Sequence, residues 1–184
     1  MTSVAKWPII TGHLAYMATT ATVHEPGVGT STKDLDRFRQ YLRRGAPGPH
    51  AYVILLGLET FDPPDLVRAV RKGLSYRAFE RFRRNTALSF ECVTDLIDIP
   101  RRTMTRRKRE GRFLPDESDR LLRASRLFGK ALQLFEGDRD AATEWLSAAQ
   151  PALGGTVPLN LAKSEVGALE VERLIGRLEH GVFS

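Results

Sequence analysis

The sequence predicts an all-α fold, and three observations predict it. Apolar residues recur at spacings of three and four through most of the chain, as in Leu35, Phe38 and Leu42, or Leu121, Ala124, Phe128, Leu132 and Phe135. Helix-start and helix-stop residues punctuate these stretches: Ser75, Ser89, Pro115 and Ser164 at starts, Gly73, Gly137 and Gly181 at ends. Between Ser89 and Gly111 a short apolar helix runs through Asp98-Ile99-Pro100 into a second helix loaded with arginine, the pattern of a helix-turn-helix. The one expected exception is a short strand in the N-terminal extension, near Trp7 to Ile10.

Taken in order, residues 1–30 are rich in Thr, Gly and Ala, with a turn signal at Glu25-Pro26-Gly27, and read as a flexible arm. Ser31 to Arg43 reads as a helix. Gly45-Ala46-Pro47-Gly48-Pro49 is a breaker, and Ala51 to Leu56 is an apolar run of strand length. Pro63-Pro64 opens a helix that Gly73 stops, because proline is tolerated in a first helical turn. Ser75 caps a helix over 76–85 with Tyr76, Phe79 and Phe82 on its apolar side. Ser89 caps the next, and Ile99 should plug the angle between the two helices that follow. Leu114-Pro115-Asp116-Glu117 starts a long helix, with acids where the helix dipole prefers them. Asp140 or Arg139 opens another, and a last helix spans about Ser164 to His180. The expected division is an extension over 1–60, the helix-turn-helix domain over 61–113 and a helical domain over 114–184.

Composition limits the function classes. At 184 residues and 42% hydrophobic, the chain can bury a core. Its single cysteine, Cys92, forms no internal disulfide and reads as a buried thiol, which suits a reducing cytoplasm. The longest apolar run, Ala51 to Leu56, is too short to span a bilayer, and no signal-peptide pattern is expected in the first twenty residues. His13, His24, His50 and His180 are scattered and share no metal-ligand spacing with Cys92; Gly27-Val28-Gly29 is too sparse for a nucleotide loop. No catalytic residue, metal or cofactor is therefore expected.

Charge points to a polyanion. Of the 28 basic and 22 acidic side chains, 20 and 11 lie in residues 1–112, a net +9, whereas the rest of the chain is net −3. Such asymmetry suits nucleic acid on one side and protein on the other. With Met104 set inward and about 100° per residue, Arg102, Arg106 and Arg109 fall on the opposite face of the second helix, flanked by Thr103 and Thr105. Arginine donates two in-plane hydrogen bonds that match guanine O6 and N7, and threonine can meet base edges or a thymine methyl. These five residues are assigned to the major groove. Arg101, Arg107, Lys108 and Arg112 are assigned to phosphates, which position a protein without reading sequence. Some of these arginines could instead pair with Glu91, Asp95 or Asp98.

Residues from about 73 to the end resemble the Xre–MbcA–ParS antitoxins of toxin–antitoxin systems, in particular the Xre partners of RES-domain toxins. The resemblance is carried by IPRRTMTRRKREGRFLPDESDRLLR (99–123), WLSAAQPALGGTVPLNL (145–161) and GRLEHGVFS (176–184), in the family's order. The chain departs from the family pattern at Asn160, Ala162 and Ser164, where an acid, a leucine and a threonine are usual. The resemblance implies an Xre/Cro-like helix-turn-helix followed by a helical toxin-binding region, a RES-domain NAD-degrading toxin as partner, and repression of the system's own operon at operator DNA. It places toxin contacts on Leu174, Arg177, Leu178, Glu179, His180, Gly181, Val182, Phe183 and Ser184. A tail of this kind offers a free carboxylate just past an aromatic anchor, suited to a pocket whose arginines hold a phosphate-bearing substrate. A homodimer is expected, because helix-turn-helix proteins usually pair two recognition helices about 34 Å apart. The residues alone also allow a stand-alone regulator whose C-terminal helices dimerise or sense a ligand.

Overall fold

The computed structural model describes residues 32–44 and 50–181. The expected arm, its strand near Trp7 to Ile10, the breaker at 45–49 and the tail Val182-Phe183-Ser184 lie outside the described residues. Nine α-helices occur among those described: α1 (Lys33–Arg44), α2 (Pro63–Lys72), α3 (Tyr76–Thr86), α4 (Phe90–Leu96), α5 (Arg101–Glu110), α6 (Pro115–Leu134), α7 (Arg139–Ser147), α8 (Pro158–Leu161) and α9 (Glu165–Glu179). They contain no β-sheet; two isolated antiparallel bridges, Ser75 with Arg112 and Gln150 with Thr156, are the only extended pairings among them. The all-α prediction holds.

Helix starts follow side-chain chemistry. The Ser89 hydroxyl accepts from the Cys92 N–H at 3.0 Å, and the Ser164 hydroxyl from the Gly167 N–H at 3.1 Å. Each satisfies an amide that the first turn leaves unpaired, a contribution of about 1 kcal/mol. Asp138 does the same for α7, accepting from the amides of Asp140 and Ala141. Ser75 occupies the position before α3, but its side chain makes no capping bond there. The α6 helix ends at Leu134, and the chain reverses through Glu136 and Gly137, both at positive φ. Only glycine accepts that conformation without a steric cost, which accounts for Gly137 beside the end of the helix.

Twenty residues make α6 about 30 Å long, and it is the spine of the fold. Against it pack α2, α3, α7, α9 and the segment Ala51–Leu56. One cluster of buried residues runs from Leu35 and Phe38 through Phe79, Phe82, Ile97, Met104, Phe128 and Leu146 to Ile175. It crosses both expected domain boundaries, 60/61 and 113/114. Edge-to-face contact of Phe82 with Phe128 (ring centroids 6.2 Å apart) joins α3 to α6 at its centre.

The segment Ala51–Leu56 is a 3₁₀ helix, not a strand. A strand must find a partner for its backbone groups, and here the neighbours' side chains serve instead. The Ser125 hydroxyl donates to the Tyr52 carbonyl at 2.7 Å and the Asn85 amide to the Leu55 carbonyl at 2.8 Å. Residues 52–56 are all buried. Gly129 of α6 permits the approach: a Cβ there would lie 2.6 Å from the Tyr52 Cβ.

Candidate functional site

The helix-turn-helix is built by α4, the turn 97–100 and α5. Ile97 and Ile99 are buried, as the plug role of Ile99 requires, and the Ile99 N–H donates to the Thr94 carbonyl at 3.0 Å. Asp98 takes a positive φ of 49°, a conformation that aspartate tolerates better than most residues. Met104 is buried at 1% exposure and seats α5 against the core. With Met104 inward, Arg102, Thr105, Arg106 and Arg109 are exposed and Thr103 is half-buried. Together with Pro100 these five line one open recess of about 650 Å³. The residues assigned to the groove therefore share one face. Thr105 spends its hydroxyl proton on the Arg101 carbonyl (3.2 Å), and Arg106 lies 3.9 Å from Glu110.

The residues assigned to phosphates divide. Arg101, Lys108 and Arg112 are exposed. Arg101 sits 3.6 Å from Glu91 in a widely exposed pair that contributes little by itself. Arg112 also donates to the carbonyls of Lys72 and Gly73, both at 3.0 Å, so it ties α5 to the end of α2. Arg107 corrects the sequence reading: it is 4% exposed and turned inward. Its Nε and Nη2 donate to the Glu117 carboxylate at 2.6 and 2.9 Å, and Nη1 to Glu110 at 2.5 Å. These hydrogen bonds, Glu117's first, raise the guanidinium's pKa above its ordinary value. The signal was present in the spacing, since a residue three beyond the inward Met104 lies about 60° from it around the helix. Glu117, which reads in sequence as a helix-start charge, also accepts from the Leu114 N–H at 2.8 Å.

At the other end, α9 buries Gly167, Ala168, Val171, Glu172, Leu174 and Ile175. Leu174, expected to meet a partner, is thus corrected to an inward residue at 4% exposure, in phase with Val171 and Ile175. Arg177 and Leu178 are half-buried, and Glu179, His180 and Gly181 are exposed. Val166 and Leu169 project outward at 75% and 41% exposure, an apolar pair that the sequence reading left out of its contact set. Ion pairs dock α9 on α6: Arg123 to Glu165 at 2.9 Å, and Arg126 to Glu172 at 2.7 Å and to Glu165 at 3.2 Å. Lys163, before α9, reaches Asp95 of α4 at 2.6 Å and so links this region to the helix-turn-helix. Hydrogen bonding by Arg123, then Arg126, holds the Glu165 carboxyl below its ordinary pKa. This docking is therefore fully present above the usual carboxylate range and is lost as pH falls through the lowered value. Burial raises the pKa of the half-buried Cys92 thiol, with Asp95 adding to the effect, and this disfavours the reactive thiolate. Among the described residues no helix is long and apolar enough to cross a membrane.

Comparison with known proteins matches both halves. Residues 65–126 match the antitoxin Xre-like helix-turn-helix domain, and residues 130–181 the antitoxin Xre/MbcA/ParS C-terminal toxin-binding domain. An antitoxin Xre of Yersinia enterocolitica is 38% identical over 130 residues, covering 70% of this chain and 88% of the relative. An antitoxin Xre of Photorhabdus laumondii is 32% identical over the same length and the same shares. A Prs ADP-ribosylating antitoxin of a Sphingobium species is 27% identical over 150 residues, 77% of this chain and 92% of the relative. With an arginine-faced helix-turn-helix, matches to both family domains and a relative 38% identical over 70% of its length, the chain belongs to the Xre/MbcA/ParS family of toxin–antitoxin antitoxins.

Proposed function

We propose that this antitoxin inhibits a RES-domain, NAD-degrading toxin through its C-terminal end and represses its own operon by placing α5 in the major groove of operator DNA. The observation that carries the DNA half is the outward face of α5, where Arg102, Arg106 and Arg109 share one open recess with Thr103 and Thr105. Two copies related by a two-fold axis would set these faces about one helical turn apart on a palindrome. Replacing Arg106 with alanine is expected to weaken operator binding roughly tenfold if the guanidinium reads a guanine. Titration of labelled operator and scrambled duplexes checks this; an equal loss on both would move Arg106 to the phosphates.

The RES assignment is supported by the terminal GRLEHGVFS and by the chemistry in a relative's name, since ADP-ribosyl groups come from NAD. Arg177, Leu178, Glu179, His180 and Gly181 lead in sequence to Val182-Phe183-Ser184, and the aromatic Phe183 suits an anchor in a pocket of the toxin. Deleting 181–184 is expected to weaken neutralisation roughly tenfold, the loss typical of removing one aromatic anchor. Unchanged neutralisation after the deletion, and after fusing a bulky C-terminal tag, would exclude the plug. The experiment that tests the whole reading is co-purification with the product of the adjacent gene, followed by an NAD-consumption assay. A complex that stops NAD loss supports it. No complex and no effect on NAD would leave a stand-alone regulator.

A further inference from the structure

Away from the outward face of α5, three helices bring two guanidinium groups to one aromatic ring. Phe90, the first residue of α4, stands edge-on to the fully buried Phe79, with ring centroids 5.7 Å apart, and is held in place by it. Over the Phe90 ring lie Arg83 of α3, with its Cζ 5.7 Å from the centroid, and Arg101 of α5, at 5.8 Å. Each contact is attractive, because the ring face is electronegative, but the two cations repel one another. Carboxylates do little to balance them. Glu91 reaches only Arg101, at 3.6 Å and with both side chains exposed. Arg83 has no carboxylate partner among the described residues, and its Nε is buried without a hydrogen-bond acceptor. A fixed platform that gathers positive charge and leaves a donor unsatisfied is suited to an anion.

Its place in the fold identifies which anion. In a helix-turn-helix the first helix crosses the DNA backbone while the second enters the groove. Phe90 begins the first, Arg101 begins the second, and Arg83 comes from the helix before both. We propose that Arg83 and Arg101, set on Phe90, form a clamp for a backbone phosphate of the operator, so that the DNA interface extends beyond α5 to α3. This rests on the operator-binding reading above. The phosphodiester is held by charge and by guanidinium N–H donors, so the clamp fixes register on the duplex and carries no base preference.

The test uses the full-length protein with two duplexes of equal length, one from the promoter region upstream of its own reading frame and one scrambled. Affinity for each is measured against potassium chloride concentration. Arg83→Met keeps the apolar stem on Phe90 and removes the charge. It is expected to weaken both duplexes by the same factor, roughly five- to tenfold, and to make the slope of log K on log salt shallower by about one. Arg83→Lys should recover most of that slope, and binding of the adjacent-gene product should not change. A slope equal to wild type in Arg83→Met, or a loss confined to the promoter duplex, overturns the clamp. A loss of toxin binding in place of DNA binding also overturns it and assigns the cluster to an acidic segment of the toxin. Should Arg83→Met melt early, Arg101→Gln, on an exposed residue, carries the same slope prediction. Failure of the wild-type protein to bind either duplex would defeat the operator reading itself, a result distinct from an unaltered slope in the variants.

Discussion

Replacing Glu117 with alanine should cost about 3–5 kcal/mol of stability, the usual price of leaving one member of a buried ion pair alone. Arg107 and Glu117 have side chains only 5% and 6% exposed, and the pair is bidentate, at 2.6 and 2.9 Å. Removing the carboxylate strands a guanidinium that cannot shed its charge, since arginine stays protonated in proteins. Glu110, at 2.5 Å and 43% exposed, would compensate only in part. The Leu114 amide at the start of α6 would lose its acceptor as well. Urea unfolding of the single variants and of an Arg107→Met, Glu117→Leu double variant checks the claim. The double variant should lose far less than Glu117→Ala, because two apolar side chains of similar volume leave no charge unpaired. A single-variant loss below about 1 kcal/mol, or a double variant as unstable as the single, would contradict it. The pair also has a functional side. It fastens the last turn of α5 to the first turn of α6, so a buried contact sets the direction of the exposed arginine face.

That contact shows where sequence reading stopped. Ser89, Ile99 and Met104 were legible because capping and the 3.6-residue period are local, and each does in the structure what its spacing implies. Arg107 was misassigned because its residue type argued for solvent more strongly than its angle argued for the core. The carboxylate that makes burial tolerable lies ten residues on, across Gly111, where no helical period can point. The 3₁₀ segment 51–56 was unreadable for a similar reason. The Tyr52 and Leu55 carbonyls are satisfied by Ser125 and Asn85 and those of Val53 and Ile54 by the backbone that follows, which removes the need for a strand partner. Leu174 has the reverse history. The terminal motif spoke for a partner, yet Leu174 shares the inner face of α9 with Val171 and Ile175. The gathering of Arg83 and Arg101 on Phe90 depends on how three helices converge, so no linear pattern could announce it.

Two glycines of α9 should respond in opposite directions to the same substitution. Gly167→Ala should destabilise the protein by about 1–3 kcal/mol, the cost of forcing an extra carbon into a closed contact. A Cβ at Gly167 would lie 1.8 Å from the carbonyl oxygen of Leu161 and 2.7 Å from its carbon, backbone atoms that cannot rotate aside. Only opening the angle between α8 and α9 relieves it, and that movement pulls on Lys163, whose ammonium group reaches Asp95 of α4 at 2.6 Å. Gly176, about two and a half turns further along the same helix, has nothing within 4 Å of a Cβ. There alanine only removes backbone freedom from the unfolded chain and should stabilise by about 0.5–1 kcal/mol. Thermal melts of the two variants separate packing from propensity, since both make the same chemical change in one helix. On the proposed toxin contacts, Gly167→Ala should also weaken toxin binding at temperatures where the variant remains folded, because α9 carries Arg177, Leu178 and Glu179. Equal melting shifts for both variants would show that the close approach of Leu161 does not set the direction of α9.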